Sequence, residues 1–218
     1  MHLIPAGRPL PQWVSRACHW SYSLFLEHDN DPSIFLLPPG SRGGARIPAH
    51  ILERISALLP GQQLDELKLW TICIRLAFRD FSGYAHGVEP FVRQFAADTG
   101  RTIGFLESAT DFAMLLDAVD NSVILSTIPP MLEEVAPSKN LKLITDMYEA
   151  WFDNDIAKFD QIYVSTALMK IPDLRAAMID HRNEHWVSKI SSLLSSSQNT
   201  LIVVVQGTSE ATVACCRC

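Results

Sequence analysis

The chain has 218 residues, 48% of them hydrophobic and 19% charged, with a formal net charge of −6. That length suits one domain, or one domain carrying a sizeable insertion, and is enough to bury a proper core. The acidic balance, with no basic run, argues against nucleic acid as a partner, because phosphate binding needs a basic stripe. No apolar run is long enough to span a bilayer, so no transmembrane segment is expected, and no basic n-region followed by an apolar h-region marks a signal peptide.

In chain order, Pro11 to Trp20 carries apolar residues at helical spacing, at Trp13, Val14, Ala17 and Cys18. Tyr22 to Leu26 reads as a buried strand ending at Glu27. Ile34 to Leu37 reads as a second short strand, stopped by Pro38-Pro39-Gly40. Ile47, Ile51, Ile55 and Leu58 mark one helix face, and Leu64, Leu67, Trp70 and Ile74 mark another. Gly83 to Gly87 is a loop. Val88 to Thr99 is an amphipathic helix closed by Gly100, a good C-cap residue. Thr102 to Leu106 is a strand ending at Glu107. From Thr110 to Leu194 the pattern is almost wholly helical, with interruptions expected at Pro129-Pro130, Pro137 and Pro172. Leu201 to Val205 is a β-branched run that reads as a buried parallel strand. Short buried strands separated by helices predict an α/β sheet with a large helical insertion.

Candidate chemistry begins with Glu27 and Glu107, each just past an apolar strand. In open α/β sheets ligands bind outside the carboxyl ends of the strands. A carboxylate there can ligate a metal or act as a general base, or it can simply pair with a nearby cation. Arg182, with Asn183, precedes Trp186 on a helix; it could clamp a carboxylate or form a structural ion pair. His181 and His185 stand one turn apart and read as a solvated helix face, with no third ligand close by. Cys18 and Cys73 read as buried free thiols.

Taken together these residues resemble the TraB/GumN family. Met1-His2 fits the last two positions of a G-T-x-H motif, with Leu10-Pro11, Ala17 and Leu26-Glu27 after it in order. Gly87-Val88-Glu89 fits a G-V-D/E turn, and Gly100 to Glu107 the segment that ends in L-E. Ala150 to Asp155 is similar to a W-x-x-G-D segment, with Asn154 where glycine is usual. Arg182-Asn183-Glu184-His185-Trp186 with Ile190 fits R-N-x-x-W/M-x-x-x-I. The resemblance implies a metal-dependent, metallopeptidase-like hydrolase acting on a peptide or small molecule. It implies a divalent metal ion held by His2 and Glu27, catalytic carboxylates at Glu27 and Glu107, and substrate contacts from Arg182, Asn183 and Glu89. Family members are often exported.

Two departures from the pattern shape the expectation. Family members carry a strand before the Gly-Thr, whereas Met1 here lies inside the motif, so that strand is expected to be missing or to lie upstream of the assigned start. After the last strand the family has a G-a-x-H motif, and this chain has no histidine after His185. Read from the third base of the Val205 codon, degenerate codons for the tail permit A-G-H-L-G-G-D-G. The expectation is therefore a TraB/GumN-like domain over residues 1–205, incomplete at both ends, with its helical insertion at 110–194 and an out-of-frame tail at 206–218. Loss of one metal ligand removes most affinity and function. The alternatives are a non-catalytic remnant or a helical protein-interaction module.

Overall fold

The computed structural model describes residues 3–4, 9–29, 31–42, 46–77, 79, 86–133, 137–153, 155–166 and 168–204. His2, Asn154 and the tail from residue 205 lie outside the described residues, as does the reading of a frame change there.

The centre is a three-stranded parallel sheet in the order β4-β2-β5, formed by β2 (Ser23–His28), β4 (Ile103–Glu107) and β5 (Thr200–Val203). Leu24 pairs with both Ile103 and Leu201, and Leu26 with both Phe105 and Val203. Glu27 is therefore the penultimate residue of its strand rather than the first residue past it. A short antiparallel pair, β1 (Leu3–Ile4) with β3 (His86–Gly87), stands apart from this sheet.

Alternation along the strands sends side chains to two covered faces. On one, Leu24, Leu26, Leu201 and Val203 pack against Val14 and Cys18 of α1 (Gln12–Trp20) and Val92, Phe95 and Ala96 of α4 (Val88–Thr99). On the other, Phe25, Leu106, Ile202 and Val204 meet Trp186, Ile190 and Leu193 of α10 (His181–Leu194). β5 is buried at every residue, as a parallel strand covered on both faces should be. The fold is α/β.

A second, larger core is built from helices and the turns between them. It joins α2 (Ala49–Leu58), α3 (Leu69–Ala77), α5 (Ala109–Asp117), α6 (Asn121–Glu133) and α9 (Pro172–Arg175) around Ile55, Ile72, Leu116 and Ile128. α7 (Pro137–Phe152) and α8 (Ile156–Val164) complete the helices between β4 and β5. Among the described residues no single helix is long and apolar enough to cross a membrane; α5 and α6 reach the length only as a pair bent by 90°.

Caps set several boundaries. Gly100 adopts φ +68° and ends α4, as expected. The Arg101 guanidinium beside it donates to the Cys18 and Ser21 carbonyls, satisfying the carbonyl end of α1. Ser108 and Asp111 form a reciprocal capping box at α5. The Ser108 hydroxyl and backbone N–H hold the Asp111 carboxyl below its ordinary range. A depressed folded value means that this contribution is present above the unfolded pKa and fades as pH falls through the folded one. Replacing Ser108 by alanine should cost about 1 kcal/mol at neutral pH, read by urea denaturation, with a smaller deficit in acid.

Several expectations fail. Leu64 and Leu67 precede their expected helix, since Leu64–Glu66 forms a 3-10 turn, Leu67 makes an isolated bridge and α3 begins only at Leu69. His86–Gly87, expected as loop, forms β3. Residues 34–37 are not a strand. Asp31 accepts the Ser33 N–H, Pro32 presets the first turn, and Pro32–Phe35 forms a 3-10 turn, leaving Leu36 only an isolated bridge to Leu67. Pro129 and Pro130 do not interrupt the chain; they sit inside α6, whose Ile124, Ile128, Met131 and Leu132 are buried in the helical core. Pro137 and Pro172 instead begin α7 and α9, the position where a missing N–H costs nothing.

Candidate functional site

Glu27 and Glu107 lie at the carboxyl ends of adjacent parallel strands, with His28 paired opposite Glu107. Glu27 comes two residues after Phe25, so its side chain shares the face covered by α10. Arg182 stands in the first turn of that helix. Its Nη2 donates to Glu27 Oε2 at 2.8 Å, its Nε to Glu107 Oε1 at 2.7 Å, and Nη2 again to Glu107 Oε1. Its Nη1 donates to the Met178 carbonyl at 3.1 Å. The side chains of Arg182, Glu27 and Glu107 are 8%, 7% and 1% exposed, so the whole cluster is buried.

A buried guanidinium survives only when paired. Burial pulls the Arg182 pKa down, but the charge of Glu27 and the hydrogen bonds and charge of Glu107 outweigh it and leave the group above its ordinary value. Two aromatic rings lie against the cation. The guanidinium carbon lies 4.7 Å from the Phe112 ring centre and 4.6 Å from that of Trp186. His28 stacks on Phe112 at 5.3 Å, which extends the aromatic group beside Arg182.

A π-helical turn, Ala176–Asp180, directly precedes Arg182 and joins α9 to α10 without a break. Such a turn carries one extra residue and re-aims the helix beyond it. Tyr163 on α8 is within electrostatic reach. Burial pushes its hydroxyl up to about 12, with Glu27 adding to the rise and Arg182 opposing it.

Of the sequence-predicted residues, the structure brings together Glu27, Glu107 and Arg182. Asn183 is the half-buried neighbour of Arg182 on α10. Glu89 lies in the first turn of α4, one turn before Arg93, whose guanidinium donates to the His28 carbonyl. That places Glu89 toward the same end of the sheet, whereas the hydrogen bonds of Arg182 run to Glu27, Glu107 and Met178. His2 lies outside the described residues. His181 and His185 are exposed on α10, in line with a solvated face. Cys18 and Cys73 are buried and free, and burial pushes both thiols up to about 11, which keeps them unreactive. Phe112, Met178 and Tyr163 carry no mark of a site in the sequence, the aromatic ones having the spacing of ordinary core positions; Trp186 stands in the R-N-x-x-W/M pattern, where the resemblance assigns it no role.

Among the described residues no three His, Cys, Asp or Glu side chains converge as a metal cage. The space between the two carboxylates is filled by the guanidinium. The described residues thus provide carboxylate oxygens suited to a hard or borderline divalent ion, but not a complete ligand set. A shallow depression lined by Leu52, Ser56, Gln63, Asp65 and Glu66 shares no residue with the cluster.

A family model, that of the TraB/PrgY/gumN family, matches residues 22–207. The match spans all three strands of the parallel sheet and every residue of the Glu27–Arg182–Glu107 cluster. Comparison with curated proteins and with solved structures returns no match.

Proposed function

This chain belongs to the TraB/PrgY/gumN family, and on that premise we propose that the cluster at its strand ends is the polar centre of a metal-dependent hydrolase acting on a peptide or small-molecule substrate. The observation that carries the reading is the convergence of Glu27 and Glu107, from the carboxyl ends of adjacent parallel strands, on one buried guanidinium. Ligands of open α/β sheets bind at that end.

In this reading Glu27, with His2, holds a divalent metal ion, which when bound supplies an activated water. The described donor set does not by itself complete that site. The chain's own residues act through their contacts. Glu107 fixes the Nε–Nη2 edge of Arg182, and Arg182 fixes Glu27. Glu27 is the proposed proton acceptor, and Glu107 the more deeply sealed of the two catalytic candidates. Asn183 and Glu89 are the proposed substrate contacts at the rim.

The test is metal titration and then turnover. Manganese or zinc should raise the thermal midpoint of the chain, since a ligand that binds only the folded state stabilises it, and Glu27→Gln should abolish most of that rise. A chain whose frame is restored from Val205, regaining a histidine after β5, should bind metal more tightly and hydrolyse a peptide library faster than the chain as given. Absence of any metal-dependent shift and of any hydrolysis in both chains would sink the proposal.

A second reading, a non-catalytic remnant that serves as a helical interaction module, draws on the apolar side chains exposed along the helices after β4. Met114 is 65%, Val164 51% and Val187 61% exposed. Partner capture that is indifferent to chelators, with no turnover, would favour it.

A further inference from the structure

Resting on the hydrolase reading above, we infer that Arg182 is a positioning residue, a fixed cation that aims the Glu27 carboxylate, and that it does not bind substrate. An arginine that clamps a substrate carboxylate in the strong bidentate mode offers two parallel N–H groups at one edge of its plane. Arg182 has no such edge to offer. Its Nε and Nη2 are committed to Glu107 and Glu27, and Nη1 gives one N–H to the Met178 carbonyl. Of its five N–H groups at most one, on Nη1, is left. Phe112 and Trp186 crowd the guanidinium further, its carbon lying 4.7 and 4.6 Å from their ring centres.

The contacts also have a direction. Glu107 is the anchor, since its Oε1 receives two N–H groups and its side chain is the most deeply buried of the three. The aromatic rings and the Met178 carbonyl hold the guanidinium in plane. The Nη2 group is then a fixed point from which Glu27 Oε2 is held. Two strand ends from different parts of the chain are thereby registered to one rigid fork, which lysine cannot imitate.

Removing the side chain should open a slot. Arg182→Ala takes away the guanidinium but leaves two aromatic faces and two carboxylates arranged around its place. Millimolar guanidinium chloride, far below denaturing concentration, should therefore raise the thermal midpoint of Arg182→Ala saturably and leave the wild-type midpoint unraised. Urea, of similar shape but uncharged, should not raise it, nor should sodium chloride. Adding Glu107→Gln to Arg182→Ala should remove the response.

In turnover assays Arg182→Ala should lose about a hundredfold in kcat with KM changed by less than about threefold, the pattern of a misplaced catalytic group. Guanidinium should restore part of kcat. Arg182→Lys, which keeps the charge and loses the fork, should show the same split in milder form, and it carries the test if the alanine variant does not fold. A rise in KM with kcat retained would overturn the inference by making Arg182 a substrate ligand. So would an Arg182→Ala midpoint indifferent to guanidinium. If the wild-type chain hydrolyses nothing, the hydrolase reading fails, while the guanidinium response still decides whether Arg182 is a seated, replaceable cation.

Discussion

Replacing Arg182 by methionine should cost the folded state about 3–5 kcal/mol, measured as a lowered urea midpoint with unchanged slope. The reason is not the loss of attraction alone. Glu27 and Glu107 are nearly inaccessible to water, and removing the guanidinium strands two negative charges beside each other in an apolar setting. The control is the triple replacement Glu27→Leu, Arg182→Met, Glu107→Leu. It should recover most of the loss, because a buried ionic cluster is roughly break-even against well-packed apolar side chains of similar size. A single Arg182→Met as stable as wild type would mean that water reaches the cluster. A triple variant as unstable as the single would mean that the fold needs the ion pairs themselves. The contrast matters for function. A cluster that contributes little net stability yet is kept charged is better explained by chemistry than by folding.

Gly104→Ala should destabilise by about 1–3 kcal/mol, although alanine is otherwise the better strand residue. A Cβ at Gly104 would fall 2.3 Å from Cε1 of Phe25 and within 2.8 Å of two further ring atoms. Phe25 lies directly across the β2–β4 ladder from Gly104 and packs on the α10 face with Trp186. The ring thus uses the space that a side chain at 104 would take. Phe25→Leu should lose packing alone but relieve the clash, so the double variant should be more stable than the sum of the two single losses predicts. Additive losses by calorimetry would show that the ring swings aside freely. Both single changes bear on the site, because Phe25 and Gly104 sit shortly before the residues that deliver Glu27 and Glu107.

Much of the framework was legible where local chemistry and tertiary packing agree. Val88–Thr99 with Gly100 beyond it, and the β-branched run at 201–203, carry their structure in their own pattern. The stretch at 34–37 misled because four apolar residues fit a strand or a buried turn equally well; the deciding signal was Asp31-Pro32, a helix-start pair. Pro129-Pro130 misled in the opposite way. Each of these prolines removes an i→i−4 bond, because only first-turn N–H groups lack a partner, and the buried side chains around them outweigh that loss. In the site, the residue types were readable and the arrangement was not. Glu27, Glu107 and Arg182 are separated by most of the chain, and no spacing rule connects them. The π-helical turn before Arg182 leaves no mark in the sequence distinguishable from an ordinary helix, and Phe112 none distinguishable from a core aromatic.

The strand order carries a consequence for the birth of the protein on the ribosome. The central strand, Ser23–His28, emerges long before Thr200–Val203, one of its two neighbours in the sheet. Until that last strand is released, the nascent chain holds Leu24, Phe25 and Leu26 with one edge unpaired, and until Arg182 appears Glu27 and Glu107 lack the guanidinium that joins them. Such an edge is the kind on which chains stick to one another. The helical core formed by α2, α3, α5 and α6 can close earlier, from segments that lie closer together in sequence. Synthesis therefore delivers the scaffold first and the charged cluster last, so a chain stalled before Arg182 would be largely built and wholly without its site.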